Sequence, residues 1–279
     1  MKKLLTVLVA VFTVLAVTAC NSQNGTKTLV VYTEAGFAPF EYESGNAICG
    51  VDVDIMNLVG EELGMNVQFE NVAFDSIIDA VSAGKLTNVG AAGLSVTEER
   101  QQKVDFSTVY YQANLYVIYN VNNAPASKTM TDGNTGVYWS NLTTTKGIGI
   151  QDGTTADFFL SDEIAEGGSL EGVSKTSYDA LSIAVMDITK GIDYVIIDEL
   201  PAKTLVANNE NLGCLPLYYE GAEGEEDVLA YDEYAICVTK GETEILAAIN
   251  KVLAELLKED ENGVTGVQKL VNKHLGLTE

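Results

Sequence analysis

The chain has 279 residues, with 40 Asp and Glu against 16 Lys and Arg, a formal net charge of −24 and a single histidine. Such an acid excess argues against nucleic acid and anionic lipid surfaces as partners, and one histidine leaves little material for a His-based catalytic centre or metal site. The length suffices for one large domain or for two lobes with their own cores.

The chain opens on Lys2 and Lys3, continues with apolar or small residues from Leu4 to Ala19, and reaches Cys20. That run is short for a bilayer-crossing helix, and a basic start with a small-residue stop is the pattern of a signal peptide. The segment Val17-Thr18-Ala19-Cys20 resembles a bacterial lipobox, in which the cysteine becomes the lipidated first residue of the mature protein. Asn21 to Lys27 is polar and contains glycine, the composition of a flexible tether. No later segment is long and apolar enough to span a membrane, so everything after Cys20 is expected to be soluble.

Beyond the tether, short apolar runs alternate with amphipathic stretches, which predicts α/β architecture. Strands are predicted at Leu29 to Tyr32, Val67 to Phe69, Val89 to Ala92, Ile148 to Ile150, Tyr194 to Ile197 and Tyr234 to Val238. Helical spacing joins Val53, Ile55, Met56, Val59 and Leu63, with Gly64 as the stop. Further helices are predicted over Ser76 to Ala83, Tyr178 to Lys190, Glu242 to Lys258 and Val264 to His274. The region from Asn122 to Lys146 is polar, turn-rich and without clear period. Cys49, Cys214 and Cys237 are an odd number at wide spacing, neither a zinc pattern nor a complete disulfide framework. Cys237 reads as a small core residue and His274 as a surface one.

Arg100 is the most informative residue, being the only arginine in the chain. A guanidinium presents a rigid fork that grips a carboxylate bidentately, where an ammonium cannot. It could equally pair with Glu98 or Glu99. Its context favours the first use: Gly93, Ser95 and Thr97 precede it after an apolar strand, so N–H groups and hydroxyls gather near a helix start, where anions bind. Gln151-Asp152-Gly153-Thr154-Thr155 repeats the arrangement. Together they point to a small carboxylate held by several donors.

Several ordered motifs carry a resemblance: Phe37-Ala38-Pro39-Phe40-Glu41-Tyr42, Gly50-Val51-Asp52-Val53-Asp54, Gly93 to Arg100, Val104-Asp105-Phe106-Ser107, Gly153-Thr154-Thr155 and Asp198. From Leu29 to about Leu275 the chain resembles the polar amino-acid-binding proteins of bacterial uptake systems, the family of the glutamine- and histidine-binding proteins. The resemblance implies two α/β lobes joined by two hinge strands, with a ligand cleft between them. It implies a signal peptide over 1–19, a lipidated Cys20 and tether over 20–27, one lobe from 28–111 and 234–279, and a second from 112–233 that includes the hinge strands.

Carried over position by position, Arg100 would grip the ligand α-carboxylate, with help from Ser95 and from the N–H groups of Ser95 and Thr155. The Gly93 carbonyl and Asp198 would take the α-ammonium. Phe37 and Phe74 would stack on the side chain, and Glu34 would read its polar end. Asp198 could instead cap a helix. Two departures stand out: Asn88 replaces an aspartate usual in the family and is expected behind the contacting residues, and Gln151 replaces a basic residue. The long stretch from Met130 to Lys146, with Trp139, is expected to reshape the pocket's edge. The implied protein is a monomeric substrate-binding lipoprotein of an ABC-type importer, on the outer face of the bacterial cytoplasmic membrane. Its partners would be a free polar amino acid and the permease subunits, with no cofactor, no metal and no catalysis. The alternatives are an enzyme resembling cyclohexadienyl dehydratases, with Glu34 as proton donor, and a sensory amino-acid-binding lipoprotein.

Overall fold

A computed structural model describes residues 27–277. The expected signal peptide and Cys20 lie outside the described residues. Strand Thr28–Thr33 buries Leu29, Val31 and Thr33 and leaves the residues between them less covered, the two-residue period of a strand with one face on a core. It belongs to a five-stranded sheet ordered 66–71, 28–33, 89–90, 237–239, 104–106. The first three run parallel, and Cys237–Thr239 is antiparallel to both its neighbours. Helix Val51–Leu63 packs on this sheet through Ile55, Met56 and Val59 and ends at Gly64. Helices Thr243–Leu256 and Gly266–His274 cover it in turn. Full burial of a side chain such as Ile55 or Met56 contributes roughly 1.5–3 kcal/mol, so this helix is a main source of the lobe's stability.

The second sheet is ordered 175–178, 148–151, 194–198, 111–120, 212–219, 135–138, 128–129. Its central strand, Tyr111–Asn120, does two jobs. Tyr111 to Asn114 pair only with Tyr231–Tyr234, whereas Leu115 onward is flanked by Tyr194–Asp198 and Leu212–Tyr219. The architecture is therefore mixed α/β in two lobes joined by two strands, with the ligand cleft between them. The lobes are closed. Arg100 of the first donates to the Gly153 carbonyl of the second at 2.9 Å, helix Leu181–Asp187 packs against Gly36–Phe37, and one apolar cluster runs through both lobes.

Several expectations are corrected. The helix expected from Tyr178 is shorter, Leu181–Asp187, because Tyr178 ends a strand paired with Gln151 and its hydroxyl donates to Asp187 at 2.6 Å. The single strand expected over Tyr234 to Val238 is two, Tyr231–Tyr234 and Cys237–Thr239, each claimed by a different sheet. Leu212–Tyr219 carries Pro216 and gave no clear strand signal, yet it lies beside the central strand. Trp139 does not edge the cleft: it is 2% exposed in the second lobe's core, beside Tyr219. His274 is not a surface residue either. Its side chain is 8% exposed, at 3.0 Å from the Tyr42 hydroxyl and 2.9 Å from Asp54, and it fastens the last helix to the first lobe. Cys237 is buried, as read, and Cys49, Cys214 and Cys237 are free.

Candidate functional site

The floor of the cleft is the turn after strand Val89–Gly90. Gly93 sits there with φ of 52°, and a Cβ on it would lie 2.9 Å from the Phe37 ring, so only glycine fits. Its N–H donates to Asp52 Oδ2 at 2.9 Å, and the Tyr110 hydroxyl donates to Asp52 Oδ1 at 2.5 Å. Asp52 is buried, and burial raises its carboxyl to about 6 against those two bonds. Glu41 lies beside it, fully buried, with neither oxygen receiving a donor. Burial first, and then the charges of Asp52 and Glu34, hold its carboxyl well above the usual range. Charge on Glu41 is thereby disfavoured beside Asp52. This assembly fixes the orientation of the Gly93 peptide.

Two residues on, Ser95 forms an isolated antiparallel bridge with Tyr234, flanked by Val96 N–H to the Glu233 carbonyl and Ala235 N–H to the Leu94 carbonyl. In a pair so flanked, the central residue's own N–H points away from the partner strand. Thr97 caps helix Glu98–Lys103 by accepting the Arg100 N–H at 3.2 Å. The cap places Arg100 in the first turn, aimed back across the cleft. Arg100 is 6% exposed. Its Nη1 donates to the Ser95 carbonyl at 2.7 Å and its Nη2 to the Gly153 carbonyl at 2.9 Å, and the guanidinium lies 5.6 Å from the Phe74 ring and 5.9 Å from Phe158. It bonds neither Glu98 nor Glu99. Of a guanidinium's five N–H groups, two serve these carbonyls.

The opposite wall is the start of helix Thr155–Ile164. Gly153, with φ of 72°, turns the chain against Asp75 of the first lobe, where a side chain would meet Asp75 at 3.1 Å. Thr154 caps the helix through the Asp157 N–H, and Asp157 returns a bond to the Gly153 N–H. Thr155 thus opens the helix, and its N–H belongs to the first turn, where no intrahelical acceptor exists.

Asp198 ends strand Tyr194–Asp198 and precedes helix Glu199–Val206, but its side chain makes no capping bond. It is 8% exposed and its Oδ1 is buried without a partner. Burial, and after it the charge of Asp232, push its carboxyl well above the usual range. The Tyr234 hydroxyl, buried close by and outside hydrogen-bond geometry, offsets part of that rise. At the far end of the cleft, Glu34 is half-buried. Burial raises its carboxyl, while hydrogen bonds from the Gln151 side chain and the Gly36 N–H lower it. Gln151 also donates to the Asp179 carbonyl at 3.1 Å. Phe37 packs on Phe40 and Tyr234, with ring centroids at 6.0 and 6.1 Å.

The lobe junction thus gathers Gly93, Ser95, Arg100 and Thr155 around one interlobe contact, with Asp198 coupled to it through the charge of Asp232. Glu34 meets the second lobe at Gln151. Phe37 backs Gly93, and Phe74 faces the guanidinium. Asn88 lies away from all of these, donating to Glu242 at 3.2 Å. A cavity of about 150 Å³ lies outside Arg100, lined by Phe74, Asp75, Gly153 and Phe158, and one of about 410 Å³ lies on the hinge side of Thr155 and Asp232. Neither is lined by Glu34, Phe37, Gly93 or Asp198, which are shut inside the closed lobes. Among the described residues, no group of three or more His, Cys, Asp and Glu could hold a metal ion.

Sequence reasoning gave no role to Glu41, Asp52 or Asp232. For Asp52 a signal existed: an acid on the buried face of an otherwise apolar helix stripe. Asp232 carried none.

The family of bacterial extracellular solute-binding proteins, family 3, matches residues 29–276. A probable histidine-binding protein of Campylobacter jejuni is 30% identical over 245 residues, 84% of this chain and 87% of the relative. The arginine-binding extracellular protein ArtP of Bacillus subtilis is 28% identical over 270 residues, 94% of each chain. The structure is similar to that of the substrate-binding protein AbpA from Streptococcus pneumoniae bound to L-arginine, with a TM-score of 0.72, 27% identity, and coverage of 90% of this chain and 95% of that one.

Proposed function

Because the chain belongs to the bacterial extracellular solute-binding proteins of family 3, we propose that it captures a free amino acid by lobe closure and hands it to the permease of an ABC-type importer. In this reading Cys20 carries the lipid that holds the monomer at the outer face of the cytoplasmic membrane, and the lobes divide at 28–111 with 234–279 against 112–233. Arg100, the Ser95 hydroxyl and the N–H groups of Ser95 and Thr155 take the carboxylate, and the Gly93 carbonyl and Asp198 take the ammonium. Glu34 selects a side chain that ends in nitrogen donors, as in the arginine and histidine that the relatives' names specify.

One observation carries the reading most. Asp198 presents a buried oxygen with no donor, beside no helix cap and in a closed junction. A buried carboxylate without a partner is costly, and a ligand ammonium supplies the partner. A thermal-shift screen of the common amino acids tests this. L-Arginine or L-histidine is expected to raise the Tm, and no rise with any amino acid would refute it. The raised carboxyl of Glu34 is the one feature that favours a dehydratase-like reading, so the screen includes prephenate with a turnover assay.

A further inference from the structure

Asp232 lies on the hinge strand Tyr231–Tyr234 and is 7% exposed. Its Oδ2 accepts the Ser95 hydroxyl at 2.5 Å and also the hydroxyl of Thr155, while its Oδ1 accepts the Glu233 N–H at 2.9 Å. One carboxylate therefore joins a residue of the first lobe, a residue of the second and the strand between them. A hydroxyl has one proton and two lone pairs. With both protons directed at Asp232, the Ser95 and Thr155 oxygens, 3.3 Å apart, have none to place between them or to offer a ligand. They face the junction as acceptors only.

We infer that Asp232 is a positioning residue of the binding site: by taking the hydroxyl protons of Ser95 and Thr155 across the closed junction, it makes the Ser95 oxygen an acceptor for the ligand's ammonium group. The inference rests on the amino-acid reading above and revises one part of it. Ser95 leaves the carboxylate's donors, which remain Arg100 and the two N–H groups, and joins the ammonium's acceptors. An ammonium has three N–H groups, and the site then offers three acceptors: the Gly93 carbonyl, Asp198 Oδ1 and Ser95 Oγ. Asp198 is a second sign that a cation belongs here, since its Oδ1 is buried with no hydrogen bond and the charge of Asp232 adds to the negative potential there. The arrangement forms only when the lobes are closed, because Ser95 and Thr155 belong to different lobes.

Calorimetry tests this with four probes: L-arginine, L-histidine and their des-amino counterparts, 5-guanidinopentanoate and 3-(imidazol-4-yl)propanoate. Asp232→Ala is expected to weaken the amino acids roughly tenfold or more, as loss of a bond to a charged group does, and the des-amino acids far less. Asp232→Ala combined with Ser95→Ala is expected to be little worse for the amino acids than Ser95→Ala alone, because Asp232 acts through that hydroxyl. Asp232→Asn keeps one acceptor oxygen, is expected to fall between, and carries the test if the alanine variant does not fold. Equal weakening of both ligand kinds, or additive losses in the double variant, would overturn the role of Asp232 and leave the amino-acid reading intact. A wild-type protein that binds none of the four probes would overturn that reading, and this inference with it.

Discussion

Asp52 and Asp198 are both buried aspartates beside the cleft, one on the first lobe's floor and one at the second lobe's junction. Asp52 receives the Tyr110 hydroxyl on one oxygen and the Gly93 N–H on the other. Asp198 has a bare oxygen and declines the helix cap open to it. The contrast separates two uses of a buried charge. One is a strut, satisfied by its own chain, and the other, on the proposed reading, is a receptor that takes a donor from the ligand.

Removing the strut should cost the fold. Asp52→Ala leaves the Tyr110 hydroxyl and the Gly93 N–H buried without an acceptor, at roughly 1–3 kcal/mol for each such group. Urea unfolding should show a loss of several kcal/mol. Asp198→Asn should leave unfolding near wild type, because the buried Oδ1 has no hydrogen bond to lose. It should nevertheless weaken α-amino acids far more than their des-amino counterparts. If the two variants lose similar stability, the distinction between strut and receptor fails.

Arg100→Lys sharpens the same contrast at the carboxylate end. The charge is kept and the fork is lost, so binding should weaken by roughly 2–5 kcal/mol, the range for truncating one partner of a buried pair. Calorimetry showing near wild-type affinity for L-arginine would remove Arg100 from the site.

Titration distinguishes the receptor by a different measure. In the ligand-free protein Asp198 holds its proton to higher pH than an exposed aspartate, through burial and then the charge of Asp232. An ammonium binds the ionised form, so capture releases a proton, and affinity rises with pH until the raised pKa is passed. For the unliganded fold the sign is opposite. The stability linked to this group is fully present below the unfolded value of about 3.9 and is lost as pH rises through the folded one. Calorimetry in phosphate and in Tris should report proton release in the wild type and a smaller release in Asp198→Asn.

The smallest effect is expected at Glu34, which is only half-buried and already held by Gln151. Glu34→Gln should weaken cationic ligands by about 1 kcal/mol more than amide ones, a change of selectivity more than of affinity. An unchanged ranking of L-arginine against L-glutamine would move specificity to another residue.

Much of the fold could be read from local pattern. The alternation of Thr28–Thr33, the helical stripe of Val51–Leu63 and the stop at Gly64 are decided by near neighbours. Arg100 stood out by being the only guanidinium, whereas Asp198 came only with the family resemblance, because its place after an apolar strand suits a helix cap equally well. The misses share a cause. Asp232 meets Ser95 and Thr155 across separations of 137 and 77 residues, and nothing in Tyr231-Asp232-Glu233-Tyr234 sets it apart among 40 acids. His274 looked like a surface residue until its partners, Tyr42 and Asp54, arrived from the other end of the chain. Tyr178 has helical neighbours, yet a strand partner claimed it. Tertiary contact decided each of these, and no local window contains it.

The ribbon of Tyr111 to Asn114 paired with Tyr231–Tyr234 also bears on how the molecule moves. A two-stranded ribbon that a third segment touches only at the Ser95–Tyr234 bridge twists readily. One lobe can therefore swing by bending the chain where the ribbon enters each sheet, with the ribbon's own ladder unbroken. The hinge then behaves as a soft spring that stores little energy at any angle. On the proposed reading, where the equilibrium between open and shut lies is then left to the junction, above all to whether Asp232 has both of its hydroxyls and Asp198 its cation.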